Sequence, residues 1–272
     1  MLGGGGHNGA AEVGMLRALL EHEIVPDLIA GTSVGALNGA AVAAEPTLDT
    51  VKRLRDVWLN LDGESIFGGS ILAGAASLVR NRTHLHSNRP LRVLLEKLLP
   101  VARFEELTVP FQCVAASIER ASEHWFSSGP LADAILASAA VPGVLPPVKI
   151  GGEHFVDGGI VNSIPISRAV ELGATEIYVL QVGRVETPLS VPKTPLQVAL
   201  VAFEIARRHR FARDLASLPK GVHAHVLPTG EPKKPSIRQL NYRDFKALAR
   251  RMDRAHRATS DYLDAPLPPD ET

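Results

Sequence analysis

One cysteine in 272 residues leaves that thiol without an internal partner. Cys113 therefore forms no disulfide within the chain, and its neighbours Phe111, Val114 and Ala115 put it on a buried strand in a reducing compartment. Net charge is missing too: 29 Lys and Arg meet 29 Asp and Glu, so no global field draws the chain to nucleic acid. Long hydrophobic runs are absent. The longest weakly polar one, Ile66 to Val79, is Gly-rich and shorter than the roughly 20 residues a membrane-crossing helix needs. No charged-then-apolar leader opens the sequence. Together these absences predict a cytoplasmic protein.

What is present reads as an ordinary globular chain, since 45% hydrophobic against 21% charged residues is enough apolar material for a packed core. Val13, Leu16, Leu20 and Ile24 recur at helical spacing before a short buried strand, "DLIAG" at 27–31. The small residues of "ALNGAAVAA" (36–44) suit a helix lying close to a sheet, and Leu48, Val51, Leu54 and Trp58 mark another helix. Leu91, Leu94, Leu95, Leu98 and Leu99 mark the next. Beyond it come a strand at 109–117, a helix at 131–140, a short strand at 154–159, then a helix near 165–173, a strand at 176–182, a helix near 195–215, a strand at 222–227 and a last helix carrying Tyr242 to Tyr262.

Strands alternating with helices predict an α/β protein whose mainly parallel sheet is covered on both faces, in one α/β/α domain over 1–272. The glycine-rich, polar stretch 62–89 is expected to be a loop or lid. One feature is odd: only Met1 and Leu2 precede "GGGG", where a parallel sheet normally supplies a strand. Either the sequence starts within that strand or the sheet does without it, at a cost in stability.

Three short motifs carry chemistry. "GTSVG", Gly31 to Gly35, follows an apolar strand and precedes a helix, a spacing that forces Ser33 onto a tight turn with its hydroxyl exposed beside the helix N-terminus. The alternative is a helix-start turn capped by Ser33 or Thr32. "GGGGHNG", Gly3 to Gly9, offers bare backbone N–H groups to a phosphate or an oxyanion. Gly4, Gly6 and Gly9 satisfy GxGxxG, but dinucleotide binding needs a preceding strand and an acid at the end of the second strand, where this chain has the serine motif. In "VDGG", Asp157 precedes Gly158 and Gly159, which permit close approach to another backbone turn; a plain Asp-Gly turn is the alternative.

In this order, and with the stretch 137–166 leading through the aspartate, the motifs resemble the patatin-like phospholipase family over about residues 3–180. The resemblance implies a three-layer α/β/α fold, Ser33 as nucleophile, Asp157 as proton acceptor, an oxyanion hole at Gly4, Gly5 and Gly6, and hydrolysis of lipid acyl esters. It implies no cofactor and no metal. The family often has Arg or Lys where this chain has Asn8, which removes a fixed positive charge.

An exposed aspartate, with a reference pKa near 3.9, is a feeble base, so burial of Asp157 is part of the expectation. His223 and His225 follow Asp157 in chain order and alternate on a strand, which leaves a Ser-His-Asp triad to be tested. His7 and His154 lie inside the motifs and are read as non-catalytic. His84 and His86 lack the carboxylate or cysteine company of a metal site. Between 207 and 257, fourteen basic side chains stand against four acidic ones; within the helical part at about 195–263 they form either a solvated basic face or a peripheral contact with anionic lipid. Few aromatics are interleaved there, so nucleic acid is not expected. A catalytically decayed lipid-binding or scaffolding protein of the same fold is the competing expectation. Oligomeric state is not legible.

Overall fold

A computed structural model describes residues 1–60, 84, 86–182, 188–231 and 245–265. Most of the expected lid at 62–89 lies outside the described residues, as does Tyr242.

Helix α1 (Ala10–Glu21) leads to strand β1 (Ile29–Thr32), helix α2 (Val34–Ala44) and helix α3 (Leu48–Asn60). After α4 (Arg89–Leu98) come β2 (Phe111–Ser117), β3 (Ser122–Phe126), α5 (Leu131–Ser138), β4 (Val148–Ile150) and β5 (Glu153–Asp157). The short helices α6 (Gly159–Asn162) and α7 (Ile166–Glu171) precede β6 (Glu176–Val179), α8 (Pro195–Ala216), β7 (His223–Val226) and α9 (Phe245–Asp264).

All four residues of β1 and nearly all of β2 are buried, as strands covered on both faces must be. Helix α2 is buried from Gly35 to Ala44, because its run of Gly and Ala lets the backbone lie almost on the sheet. Helices α1 and α9 cross as closely: a Cβ on Gly14 would lie 2.8 Å from the His256 backbone nitrogen. Fully buried side chains such as Met15, Leu54, Leu131 and Ile135 fill the core, each worth about 1.5–3 kcal/mol relative to exposure.

The α/β architecture, with a central sheet flanked by helices, follows the expectation, but the sheet is mixed rather than mainly parallel. β1 pairs with β2 and β6 with β7 in parallel, whereas β3 and β5 pair with β2, and β4 with β5, antiparallel. Strands β3 and β4 escaped the sequence reading because they are short and carry exposed polar residues, as in "SEHWF", where the reading looked for apolar runs.

The missing first strand is present as a stub. Leu2 bridges Gly31 on one side and Leu180 on the other, both in the parallel sense. Its N–H donates to the Ala30 carbonyl at 2.9 Å, and its carbonyl accepts from Thr32 N–H at 3.1 Å. Gly3 N–H donates to Leu180 O at 3.0 Å, and Leu180 N–H to Met1 O at 2.8 Å. One residue thus joins the β1 side to the β6–β7 pair.

Register explains how distant motifs meet. Strand β3 runs along residues 113–117 of β2, so β1 (opposite 111–114) and β5 (opposite 115–117) share the other edge of β2, end to end. They run in opposite directions, and both C-terminal ends arrive at the same point. Thr32 lies opposite Val114 and Asp157 opposite Ala115. The residue after Thr32 is therefore brought against Asp157.

Candidate active site

Ser33 sits between β1 and α2 with φ 56° and ψ −121°, a left-handed backbone that a non-glycine residue adopts only when its surroundings hold it there. The holding groups are visible. Ser33 N–H donates to Ser138 Oγ at 2.9 Å, and Thr32 Oγ1 donates to the Asn162 carbonyl at 2.8 Å. Ser33's own carbonyl accepts from Ala36 and Leu37 N–H, which starts α2 at the hydroxyl.

The Ser33 hydroxyl donates to Asp157 Oδ2 at 2.6 Å, and Asp157 Oδ1 accepts from Gly159 N–H at 2.7 Å. Both side chains are buried. Burial pushes the Asp157 carboxyl up to about 6, against the lowering pull of the bonds from Ser33 and Gly159. The carboxylate is thus ionised at neutral pH, yet far more basic than an exposed aspartate. The surrounding turn is fixed by backbone bonds from Asp157 N–H to Ala140 O and from Gly158 N–H to Ser138 O.

The motif glycines are where backbone meets backbone. A Cβ on Gly31 would lie 2.7 Å from the Gly35 carbonyl carbon; on Gly35, 2.6 Å from that of Leu2; on Gly158, 2.7 Å from that of Val114. Gly9 lies under Val34 and Trp58, and Gly159 lies beside Asp157 and Phe203. Among the three glycines expected to form an oxyanion hole, Gly4 N–H is already donated to the Ser163 carbonyl at 2.9 Å. That corrects the expectation for Gly4, because its N–H is held by the turn between α6 and α7. No hydrogen bond from Gly5 or Gly6 N–H occurs among the described residues, and Gly6 opens onto free space at φ 55°.

Behind the glycine turn lies a buried polar network with no motif to announce it. Asn38 Nδ2 donates to Gly9 O at 3.1 Å and to Glu12 Oε2 at 2.7 Å, while Trp58 Nε1 donates to Asn38 Oδ1 at 3.1 Å. Burial raises the Glu12 carboxyl well above its usual range. This ties the helix that follows the glycines to the helix that follows Ser33. Ser138 and Ser163 were also missed as individuals, although both lie in the stretch 137–166 that carried the family resemblance.

At Asn8, the cation absent from the sequence position arrives from elsewhere. Arg251 of α9 donates Nη1 to Asn8 Oδ1 at 2.7 Å and Nε to Glu231 at 2.9 Å. Burial, and then Arg251, press His7 down to about 4, so it is neutral. The other histidines have occupations of their own: His154 Nδ1 meets Glu119 at 2.7 Å, and His225 meets Glu176 at 2.8 Å and the Tyr262 hydroxyl at 3.2 Å. His223 is exposed on β7.

Much of the described basic segment is spent on ion pairs. Arg207 and Arg208 bind Glu204, Arg210 binds Glu123, and Arg251 and Arg254 bind Glu231. Among the described residues no group of three or more His, Cys, Asp or Glu is arranged to hold a metal ion, and no helix is long and apolar enough to cross a membrane.

Comparison with known proteins bears on the fold and the family. A solved structure of VipD from Legionella pneumophila aligns with a TM-score of 0.50 and 14% identity over 97% of this chain and 66% of that one, a likeness of fold alone. A patatin-like phospholipase domain-containing protein of Caenorhabditis elegans is 34% identical over 188 residues, 68% of this chain and 14% of that protein. Patatin-like phospholipase domain-containing protein 7 of Rattus norvegicus is 30% identical over 193 residues, 70% of this chain and 14% of that protein. Lysophospholipase nte1 of Aspergillus terreus is 28% identical over 190 residues, 68% of this chain and 12% of that protein. The chain thus spans about one seventh of the length of these curated relatives. The family model described as patatin-like phospholipase matches residues 1–170, more than half of the sequence. The chain belongs to the patatin-like phospholipase family.

Proposed function

We propose that the chain is a serine acyl hydrolase, acting as one hydrolase domain on fatty-acyl esters of phospholipids, lysophospholipids or related lipids. The observation that carries this reading is the 2.6 Å bond from the Ser33 hydroxyl to a buried Asp157 carboxylate of raised basicity. A buried carboxylate in direct contact needs no imidazole between it and the serine.

Ser33 Oγ attacks the ester carbonyl carbon while its proton passes to Asp157. The carbonyl oxygen becomes an oxyanion, for which Gly5 and Gly6 N–H are the open donors. Collapse breaks the ester C–O bond, and the departing alcohol takes the proton from Asp157. Water then attacks acyl-Ser33, gives a proton to Asp157, and the fatty acid leaves as Ser33 recovers that proton. Each group returns to its starting state. The relatives named as phospholipase and lysophospholipase support the substrate class.

A catalytically decayed scaffold would suit a glycine loop with no strand before it, whereas Leu2 supplies a stub bonded on both sides. A fluorophosphonate probe tests the choice. Covalent labelling of wild type, abolished in Ser33→Ala, is expected; a folded wild type that stays unlabelled sinks the hydrolase reading.

A further inference from the structure

Helix α8 is turned inside out. A surface helix normally sends its charges to water and its apolar side chains inward. Here Arg207 and Asp214 are only 8% and 7% exposed, with Phe211 between them on the inward side, and Glu204 is drawn in with Arg207 and Arg208. The opposite face carries Val198, Ala202, Ile205 and Ala206, spaced i, i+4, i+7, i+8, with Val198 53% and Ile205 55% exposed. No carboxylate of the helix lies on that outward stripe. The exposed cations Lys193 and Arg213 stand near its two ends.

The stripe is next to the site. Phe203, on the flank of α8, has its ring edge 3.0 Å from where a Gly159 Cβ would be, and that point is itself 3.0 Å from Asp157 Oδ1. Ile160, 42% exposed, continues the apolar surface past Gly159. We infer that the outward face of α8 is a docking surface for a lipid layer, laying the mouth of the Ser33–Asp157 site against it.

The choice of lipid as occupant rests on the acyl-hydrolase reading; the exposed stripe does not. A second copy of the chain is a poor fit, because four small or medium side chains fall far below the roughly 800 Å² per partner of a stable interface. An apolar stripe with flanking cations and no acid suits a headgroup boundary, where apolar side chains enter and Lys or Arg meets phosphate. Helix α8 therefore contributes less as a charged face, since Arg207 and Asp214 turn inward, than through the methyl groups it turns out.

The test is flotation of the full chain with phosphatidylcholine vesicles, comparing wild type with Val198→Glu/Ile205→Glu, a pair that keeps good helix formers in place. Wild type is expected to float and the variant to bind at least about tenfold more weakly, with hydrolysis of vesicle lipid falling in step. Hydrolysis of monomeric p-nitrophenyl butyrate should hold within about twofold, as for exposed side chains that bond to neither Ser33 nor Asp157. If the pair unfolds, Ala202→Glu is read the same way. Equal flotation of wild type and variant, or no flotation of either, overturns the docking surface. So does light scattering that finds a wild-type dimer and a monomeric variant. If wild type floats through α8 yet neither hydrolyses an ester nor takes the fluorophosphonate, the hydrolase reading has failed and the docking surface stands.

Discussion

The two sides of the Leu2 stub are built on different principles. On the β1–β2–β5 side, the turn around Ser33 is held by bonds between side chain and main chain: Ser33 N–H to Ser138, Thr32 to the Asn162 carbonyl, Gly159 N–H to Asp157. On the β6–β7 side, with α8 and α9, charged side chains are paired with each other, as in Arg207 and Arg208 with Glu204 or Arg251 and Arg254 with Glu231, and His225 meets Glu176. Main-chain ties fix a position to a fraction of an ångström and leave little room for another residue. The Arg207–Glu204 and Arg251–Glu231 pairs are themselves largely buried, so losing one partner there costs more than the about 0–1 kcal/mol of an exposed pair. Substitution around Ser33 should therefore be felt in turnover, and substitution of an exposed group on the second side only mildly.

The sharpest response is expected at Asp157. Asp157→Asn keeps the shape: the amide oxygen can accept from Gly159 N–H and the amide nitrogen can face Ser33 Oγ. It removes the base, so kcat should fall by about 10²–10⁴ with the fold intact. Stability should move the other way. The folded-state pKa of about 6 lies above the usual aspartate value of 3.8, so this carboxyl favours the folded state fully below pH 3.8. That contribution fades as pH rises through about 6, and at pH 8 the buried charge is a burden that the asparagine lacks. The variant should melt at or above the wild-type temperature at pH 8. Wild-type kcat/KM should rise with pH through a midpoint near 6 and then level off. A melt far below wild type, or an acid limb retained by the variant, would break the contrast.

Next in size is Gly35→Ala. The added Cβ would meet the Leu2 carbonyl, with its carbon at 2.6 Å, and backbone cannot rotate aside as a side chain can. Leu2 bridges Gly31 on one side and Leu180 on the other, so the strain falls on the Ser33 turn and on the sheet together. A loss of at least about 1–3 kcal/mol in unfolding free energy is expected by chemical denaturation. Wild-type stability in this variant would mean that the stub is not held as tightly as its hydrogen bonds indicate.

The same contrast governs what could be read from sequence. Main-chain ties leave glycine signatures, so Gly31, Gly35, Gly158 and the serine and aspartate between them were legible before any fold was known. The meeting of Ser33 with Asp157 is implied by the family resemblance alone, because it depends on β1 and β5 sharing one edge of β2, and β5 gives no sign of its direction in "EHFVD". Nothing in "GGGG" reveals that the Gly4 N–H is taken by the Ser163 carbonyl, far along the chain. The charges of α8 and α9 can be counted from composition, but composition does not say which way a charge faces. Glu231 and Glu204 become visible as partners only once the helices are packed.

The smallest expected effect bears on the rival chemistry. His225 is stacked on Tyr178, ring centroids 4.8 Å apart, with Nε2 on Glu176 and Nδ1 against the Tyr262 hydroxyl. Both ring nitrogens are thus engaged by groups on its own side of the stub, and Ser33 Oγ already donates to Asp157. His225→Ala should remove one stacked pair and one side-chain contact with Glu176, about 1 kcal/mol in a thermal melt. Esterase turnover should stay within about twofold, the range of substitutions away from a site. If turnover instead fell as far as in Asp157→Asn, an imidazole would have to reach Ser33 during the reaction. The two sides of the molecule would then share the chemistry rather than divide it.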